Sequence, residues 1–188
     1  YGYISFEGPM PTPLSGMDKS GRVMYTSTFS KMVSPGMRIG WITANPDFTG
    51  HMIEAKNNIS ICNDGLSQYA AAELFKRGDV DRQIPKVTKV YRNKRDVMLE
   101  AMETSVPRKA KWETPNGGLF LWVTVPAHID TDELFFDAIE HKVAFVPGSQ
   151  FYAENPQRNH MRINFSFVAK DQLAAAVRRL ATCIRKRL

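Results

Sequence analysis

The sequence predicts an α/β chain that closes with a smaller α+β unit. Two observations predict it. Short apolar runs of strand length, residues 39–44 (IGWITA) and 118–125 (GLFLWVTV), punctuate the chain. Each lies near turn residues and is too short for a typical helix. Longer segments carry apolar residues three and four positions apart, the spacing of an amphipathic helix. The 188 residues are 43% hydrophobic and 23% charged, an ordinary globular balance with enough length for a sizeable core.

The elements follow in order. Residues 8–18 are rich in Pro and Gly and read as a loop. Residues 22–29 hold β-formers with partial alternation and read as a strand. Residues 39–44 are a buried strand that pairs beside it. Pro46 and Asp47 open a helix that runs to about Asn58. Asn63-Asp64-Gly65 breaks the chain. Residues 66–75 then form a helix with Ala70, Ala71 and Leu74 on one side. Val87, Val90, Tyr91, Val97, Met98, Ala101 and Met102 keep helical spacing, with Lys94 as the exception. Pro85 fits the first turn of this long helix and Pro107 ends it.

A composition shift at this point predicts a domain boundary, with one domain over 1–104 and a second over 105–188. In the second, Asn116-Gly117 leads into the strand at 118–125. Asp130 and Glu133 have the spacing of a capping box, opening a helix that bears Leu134, Phe135, Ala138 and Ile139. Residues 143–146 and 162–168 read as strands. From Asp171 onward a helix turns Leu173, Val177, Leu180 and Ile184 inward. Helices covering a small sheet make this part α+β.

Composition narrows the function classes. No apolar run reaches membrane-spanning length, so no membrane partner is expected. The start shows no basic segment followed by an apolar one. Cys62 and Cys183 form no CxxC motif and read as reduced thiols of a cytoplasmic protein. The net charge is +6, and Arg178, Arg179, Arg185, Lys186 and Arg187 follow the last acidic residue, Asp171. A helix end carrying cations complements its own dipole. Without interleaved aromatics the run does not suit single-stranded nucleic acid, and no nucleic-acid partner is expected. His51, His128, His141 and His160 lack metal-ligand spacing and read as surface or helix-end residues, so no metal is expected. Neither a GKS/T nor a GxGxxG phosphate loop occurs.

The chemistry concentrates in Thr28-Phe29-Ser30-Lys31-Met32-Val33-Ser34-Pro35-Gly36-Met37-Arg38. One lysine follows two hydroxyl residues, and an arginine lies seven positions on. A nucleophilic lysine must shed its proton, and lysine is the cation whose pKa moves most readily on burial. Phe29 and Met32 offer an apolar surround. Arg38 presents a fixed fork of donors that suits a phosphate dianion, and Thr28 and Ser30 add hydroxyl donors. The residues alone describe a reactive lysine near an anion site. Further along, Arg162 sits in an alternating apolar strand, where a cation is costly unless it meets an anion. A carboxylate matches its fork.

These segments resemble those of class I/II pyridoxal-phosphate (PLP) aminotransferases, most closely the branch with 2-aminoadipate and kynurenine aminotransferases. The resemblance runs over essentially the whole chain. It includes Pro115-Asn116-Gly117-Gly118-Leu119-Phe120-Leu121-Trp122, Pro147-Gly148-Ser149-x-Phe151 and Met161-Arg162-Ile163-Asn164-Phe165-Ser166. It implies the C-terminal part of the PLP-dependent transferase fold: the end of a large-domain sheet, mixed and mostly parallel, plus an α+β small domain.

By the same resemblance Lys31 is the catalytic Schiff-base lysine, and Thr28, Ser30 and Arg38 anchor the cofactor phosphate. Tyr1 meets the cofactor's phenolic oxygen, and Arg162 grips the substrate's α-carboxylate. The Pro147 turn has no assigned chemistry. The implied reaction moves an amino group between an α-amino acid (2-aminoadipate, an aromatic or a branched-chain one) and a 2-oxo acid, in a homodimer. A lyase or decarboxylase on the same fold shares every residue named. The rival from another class is the PLP-sensing domain of a winged-helix transcription regulator, whose lysine segment looks similar. The chain starts at Tyr1 with no Met and reads as the interior of a longer polypeptide. The residues that stack on the cofactor ring and pair its pyridine nitrogen are expected in the preceding half, so these 188 residues alone are expected to hold an incomplete site.

Overall fold

A computed structural model describes residues 2–188; Tyr1, expected to meet the cofactor, lies outside the described residues. The chain forms two compact units. One joins the residues up to Tyr3 with Gly8–Val87, and the other joins Ile4–Glu7 with Thr88–Leu188.

The first unit holds α1 (Leu14–Met17), β1 (Tyr25–Thr28), a 3-10 turn (Pro35–Met37), β2 (Gly40–Thr43), α2 (Pro46–Ile59), α3 (Gly65–Lys76) and the start of α4 (Asp79–Ser105). The expected pair of strands is present as an antiparallel hairpin with Tyr25 opposite Thr43 and Thr28 opposite Gly40, but β2, expected to be buried, is exposed at all four of its residues. The first strand is shorter than expected, and Asp18 supplies the reason. Its carboxylate accepts bonds from the Ser20 and Val23 amides, each at 2.8 Å, and from the Ser20 hydroxyl at 2.6 Å. Residues 20–23 therefore bond to a side chain instead of a neighbouring strand. The Ser20 hydroxyl, then the amides, hold the Asp18 carboxyl at about 2, below its ordinary 3.8.

Helix starts in this unit are set by side chains. Asn45 accepts from the Asp47 amide at 3.1 Å, with Pro46 in the first turn of α2. Asp64 accepts from the Leu66 and Ser67 amides, each at 3.1 Å, to open α3. On α3 Ala71 is buried, but Ala70 faces solvent. The long helix corrects the expected role of Pro85, which lies inside α4 and not at its start. Asp79 sets the earlier start, pinned by Arg77 at 3.1 Å and Arg82 at 2.6 Å. Pro85 has no N–H to give the Asp81 carbonyl one turn back. Among the described residues of this unit, only Ala71 and Val80 are buried hydrophobics, while Ile61 is 94% and Leu66 80% exposed.

The second unit contains the rest of α4, β3 (Lys111–Trp112), β4 (Phe120–Thr124), α5 (Thr131–Glu140), β5 (Val146–Pro147), a 3-10 turn (Gly148–Phe151), β6 (His160–Asn164) and α6 (Lys170–Arg185). Its four strands run antiparallel in the order β3-β4-β6-β5. Alternation buries Leu121 and Val123 of β4 and Met161 and Ile163 of β6 on one face. Met98 and Met102 of α4, Leu134 and Ala138 of α5, and Leu173, Val177, Leu180 and Ile184 of α6 complete the core. The inward stripe expected of the last helix is present in full. Each such large side chain contributes about 1.5–3 kcal/mol by leaving water.

Residues 4–7 belong to this unit. The Phe6 amide donates to the Asn116 carbonyl at 2.7 Å, and the Gly118 amide donates to the Ile4 carbonyl at 2.8 Å. Gly117 allows that approach, because a Cβ there would stand 2.5 Å from the Ile4 oxygen. Arg95 of α4, buried and unforeseen from the sequence, ties the junction together. It donates to the Pro115 carbonyl at 2.8 Å, pairs with Asp96 at 2.8 Å and lies over the Phe6 ring at 4.9 Å. Lys94, the break in the helical stripe, donates to the Ser166 carbonyl at 2.8 Å.

Four expectations in this unit need correction. The strand expected at 143–146 is formed only at Val146–Pro147, after a turn in which Lys142 has φ 56°. The strand expected at 162–168 starts earlier and ends at Asn164, whose side-chain oxygen accepts from the Ser166 and Phe167 amides at 2.7 and 3.0 Å and turns the chain. Asp130 caps α5 through the Asp132 amide at 2.8 Å, but Glu133 does not close the box and instead pairs with Arg187 at 3.1 Å. His160 is no surface histidine: it is half-buried in β6, stacked between Trp122 and Tyr152.

The basic end of α6 is used within the unit. Arg187 pairs with Asp137 at 2.7 Å, which with Glu133 raises its guanidinium pKa, and Arg179 and Arg185 donate to the Lys142 and Ser105 carbonyls. Cys62 and Cys183 are free thiols. Among the described residues no helix is long and apolar enough to cross a membrane, and no group of His, Cys, Asp and Glu could hold a metal ion.

Candidate functional site

The reactive-lysine segment forms the loop that closes the β1–β2 hairpin. Pairing runs one step past the strands, with the Phe29 amide donating to the Ile39 carbonyl at 3.1 Å. The loop then tightens at Lys31, because the Met32 and Val33 amides both donate to the Phe29 carbonyl, at 3.2 and 2.8 Å. Phe29 anchors the loop by packing on Phe75 of α3, ring centres 5.0 Å apart. Lys31 itself is exposed, while Phe29 and Met32 are half-buried beside it in sequence.

Thr28 and Ser30 are brought together, their hydroxyl oxygens 2.8 Å apart. Thr28 also donates to the Ile39 carbonyl at 3.0 Å and accepts from the Ser30 amide at 3.1 Å. A threonine hydroxyl has one hydrogen. With that hydrogen on Ile39, Ser30 is the donor of the pair. An anion at this point would draw the Ser30 hydrogen away from the neutral Thr28 oxygen. It would take that of Thr28 by replacing a neutral carbonyl with a stronger charge-assisted bond.

Arg38 stands at the other end of the loop. It holds a left-handed backbone, φ 52° and ψ 39°, at the end of the Pro35–Met37 turn. A non-glycine residue there costs about 1–2 kcal/mol. The Ser34 hydroxyl caps the turn by accepting from the Gly36 amide at 3.3 Å, and Arg38 donates to the Pro35 carbonyl at 3.2 Å. Its exposed guanidinium has donors to spare after that one bond.

The second unit presents Arg162 on the outer face of its sheet. Alternation along β6 puts His160, Arg162 and Asn164 on the face opposite the core, beside Thr124, Trp122 and Phe120 of β4. The Arg162 guanidinium carbon lies 4.0 Å from the Phe120 ring centre and 4.7 Å from that of Phe151. Its buried Nε–H has no hydrogen-bond partner. A cavity of about 200 Å³ opens here, lined by Phe120, Ala144, Phe145, Val146, Arg162 and Asn164. This is a half-buried cation with unused donors beside an empty space.

Reading the sequence singled out Arg162 but missed its aromatic neighbours. Phe120 was legible in principle, since strand alternation puts it on Arg162's side once β4 and β6 pair. Phe151 was legible only as part of a turn without chemistry, because its meeting with Arg162 depends on how the Gly148–Phe151 turn folds back.

Residues 1–180 match the family described as aminotransferase class I and II. The chain is 46% identical to an uncharacterized aminotransferase of Saccharolobus solfataricus, aligned over all of this chain and 47% of the relative. It is 38% identical to aromatic-amino-acid aminotransferase 1 of Thermococcus litoralis, over all of this chain and 45% of the relative. The crystal structure of Pyrococcus horikoshii kynurenine aminotransferase, solved with PMP, kynurenine and its product, superposes with a TM-score of 0.94 at 38% identity, over all of this chain and 46% of that one. An HTH-type transcriptional regulator of Bacillus subtilis also matches, at 30% identity over 99% of this chain and 38% of its own length. The chain spans a little under half the length of the relatives it matches.

Proposed function

We propose that this chain, which belongs to the class I and II aminotransferase family, carries the catalytic lysine and the carboxylate-binding arginine of a PLP-dependent enzyme. That enzyme moves an amino group between an α-amino acid and a 2-oxo acid. The observation that carries the proposal is the hairpin loop. It sets Lys31 directly after a Thr28–Ser30 hydroxyl pair and holds Arg38 in a costly conformation at its far end.

The donor set fits PLP. A phosphate dianion calls for hydroxyl and guanidinium donors, and Ser30, Thr28 and Arg38 supply both kinds. Lys31 supplies the amine for the cofactor's aldehyde, and Tyr1 is proposed to meet its phenolic oxygen. When bound, PLP provides that aldehyde and a ring that takes up the electron pair released at the substrate's Cα. Lys31 Nζ, exposed on a four-carbon stem, would move the proton between the substrate's Cα and the cofactor's C4′, in one direction in each half-reaction. Arg162 receives the α-carboxylate through the donors that the fold leaves unused.

The names of the relatives favour aromatic and kynurenine-type amino acids as substrates. The large apolar side chains exposed on the first unit support burial against further protein, as in a homodimer. Two free thiols fit a cytoplasmic setting. The domain division proposed for the parent protein is 1–104 and 105–188.

One observation favours a second reading: the match to transcription regulators covers 99% of this chain. In that reading the same residues hold PLP as a sensed ligand. The deciding experiment assays the full-length parent with amino acids and 2-oxo acids, beside a Lys31→Ala variant. Amino-group transfer lost with Lys31 supports the enzyme. A winged-helix segment ahead of Tyr1 together with no transfer supports the regulator.

A further inference from the structure

We infer that Phe120 and Phe151 are positioning residues for Arg162, two aromatic faces that hold its guanidinium plane and keep its donors free for an incoming carboxylate. The inference deepens the function proposed above and rests on Arg162 being the carboxylate site.

The argument starts from what Arg162 lacks. A half-buried guanidinium inside a protein is usually paired with a carboxylate or several carbonyls. Among the described residues Arg162 makes no ion pair, and its buried Nε–H has no acceptor. It meets two ring faces instead, at 4.0 and 4.7 Å. An aromatic face attracts a cation through its quadrupole, and it places no oxygen in the guanidinium plane. An internal carboxylate would hold the arginine equally well but would compete with the ligand for the same fork. Two rings hold the group and leave the fork open.

The turn without assigned chemistry supplies the second ring. Its Ser149 hydroxyl donates to the Asp132 carboxylate at 2.7 Å, tying the turn to α5. Gly148 lies so close to β6 that no side chain fits between them. Phe151, about half exposed, then meets Trp122 with ring centres 5.5 Å apart and planes at 84°. Trp122 is the cross-strand partner of Arg162 and is stacked on His160 at 5.6 Å. Tyr152, next to Phe151, bonds the His160 ring nitrogen at 2.8 Å. The turn is anchored on both sides of the ring that faces the arginine.

The test uses the full-length parent protein with Phe151→Leu, Phe151→Tyr and Phe120→Leu. Leucine keeps apolar bulk without a π face, and tyrosine keeps the face. Two quantities are read. One is KM and kcat for amino acid and 2-oxo acid. The other is the calorimetric Kd of 3-phenylpropanoate, a carboxylate with no amino group to react. We expect Phe151→Leu to raise KM and the probe's Kd about tenfold together, with kcat within about twofold, and Phe151→Tyr to stay near wild type. Phe120→Leu gives the same pattern and serves if Phe151→Leu does not fold. Unchanged KM and Kd in a folded leucine variant overturns the inference. So does a fall in kcat alone, or a tyrosine variant as impaired as the leucine one. Probe binding that weakens in Phe151→Leu and Phe120→Leu, in a protein without transfer activity, leaves the inference standing and removes the enzyme reading. Wild-type protein that takes neither substrate nor probe overturns both.

Discussion

Replacing Gly148 with alanine presses a methyl group onto the centre of the small sheet. The added Cβ would stand 2.5 Å from the His160 Cβ, 2.6 Å from its carbonyl oxygen and 2.7 Å from its carbonyl carbon. Carbon atoms rest at about 3.5–4.0 Å, so the two segments must part by about 1 Å. His160 lies in β6, bonded to β4, and cannot give way without breaking the sheet. The Gly148–Phe151 turn must move instead, and it carries Phe151 off Arg162. Overpacking of this kind costs about 1–3 kcal/mol, and contact with backbone places Gly148→Ala near the upper end. Urea unfolding of the full-length parent reads the stability, and KM for the amino acid reads the site. Gly50 in α2 is the control, because nothing lies within 4 Å of its Cβ position, and alanine there gains up to about 1 kcal/mol of helix propensity. A Gly148→Ala protein with wild-type stability and wild-type KM refutes the reasoning.

Four further outcomes are expected. Asp130→Ala removes the cap on the Asp132 amide and a partner of Arg158, lowering stability by about 1 kcal/mol in thermal unfolding. Iodoacetamide at pH 8 labels exposed Cys62 first, and it reaches Cys183, whose thiol burial pushes up in pKa, only under denaturant; equal rates by mass spectrometry would contradict that packing. Asp18 has its folded pKa depressed to about 2 from 3.8. Its contribution is therefore complete above the unfolded value and is lost as pH falls from about 4 through about 2. Amide exchange at Ser20 and Val23 should rise across that window and stay flat in Asp18→Asn. Arg95→Met strips the Pro115 carbonyl and Glu7 of their partner and loosens residues 4–7, which limited proteolysis would detect.

The elements most legible in the sequence were those whose burial pattern is local. The stripe on α6 names its core face residue by residue, and each predicted inward position is buried. The hairpin and its lysine loop were legible because strand, turn and hydroxyl residues lie within one short segment. Strand ends were not, since Asp18 and Asn164 compete for backbone amides through side-chain bonds that periodicity does not encode. The start of α4 was misread because Pro85 is a common first-turn residue, while the Arg77–Asp79–Arg82 cluster that sets the start has no apolar signature. The surroundings of Arg162 come from three separate segments, so the sequence pointed to the arginine but not to what holds it.

The assignment of Lys31 is tested most directly on the full-length parent protein with PLP, reduced by borohydride, digested and mapped by mass spectrometry. We predict a pyridoxyl mass on the peptide containing Lys31, and its loss in Lys31→Ala along with amino-group transfer. The same mass on another lysine, or transfer that survives Lys31→Ala, would contradict the account.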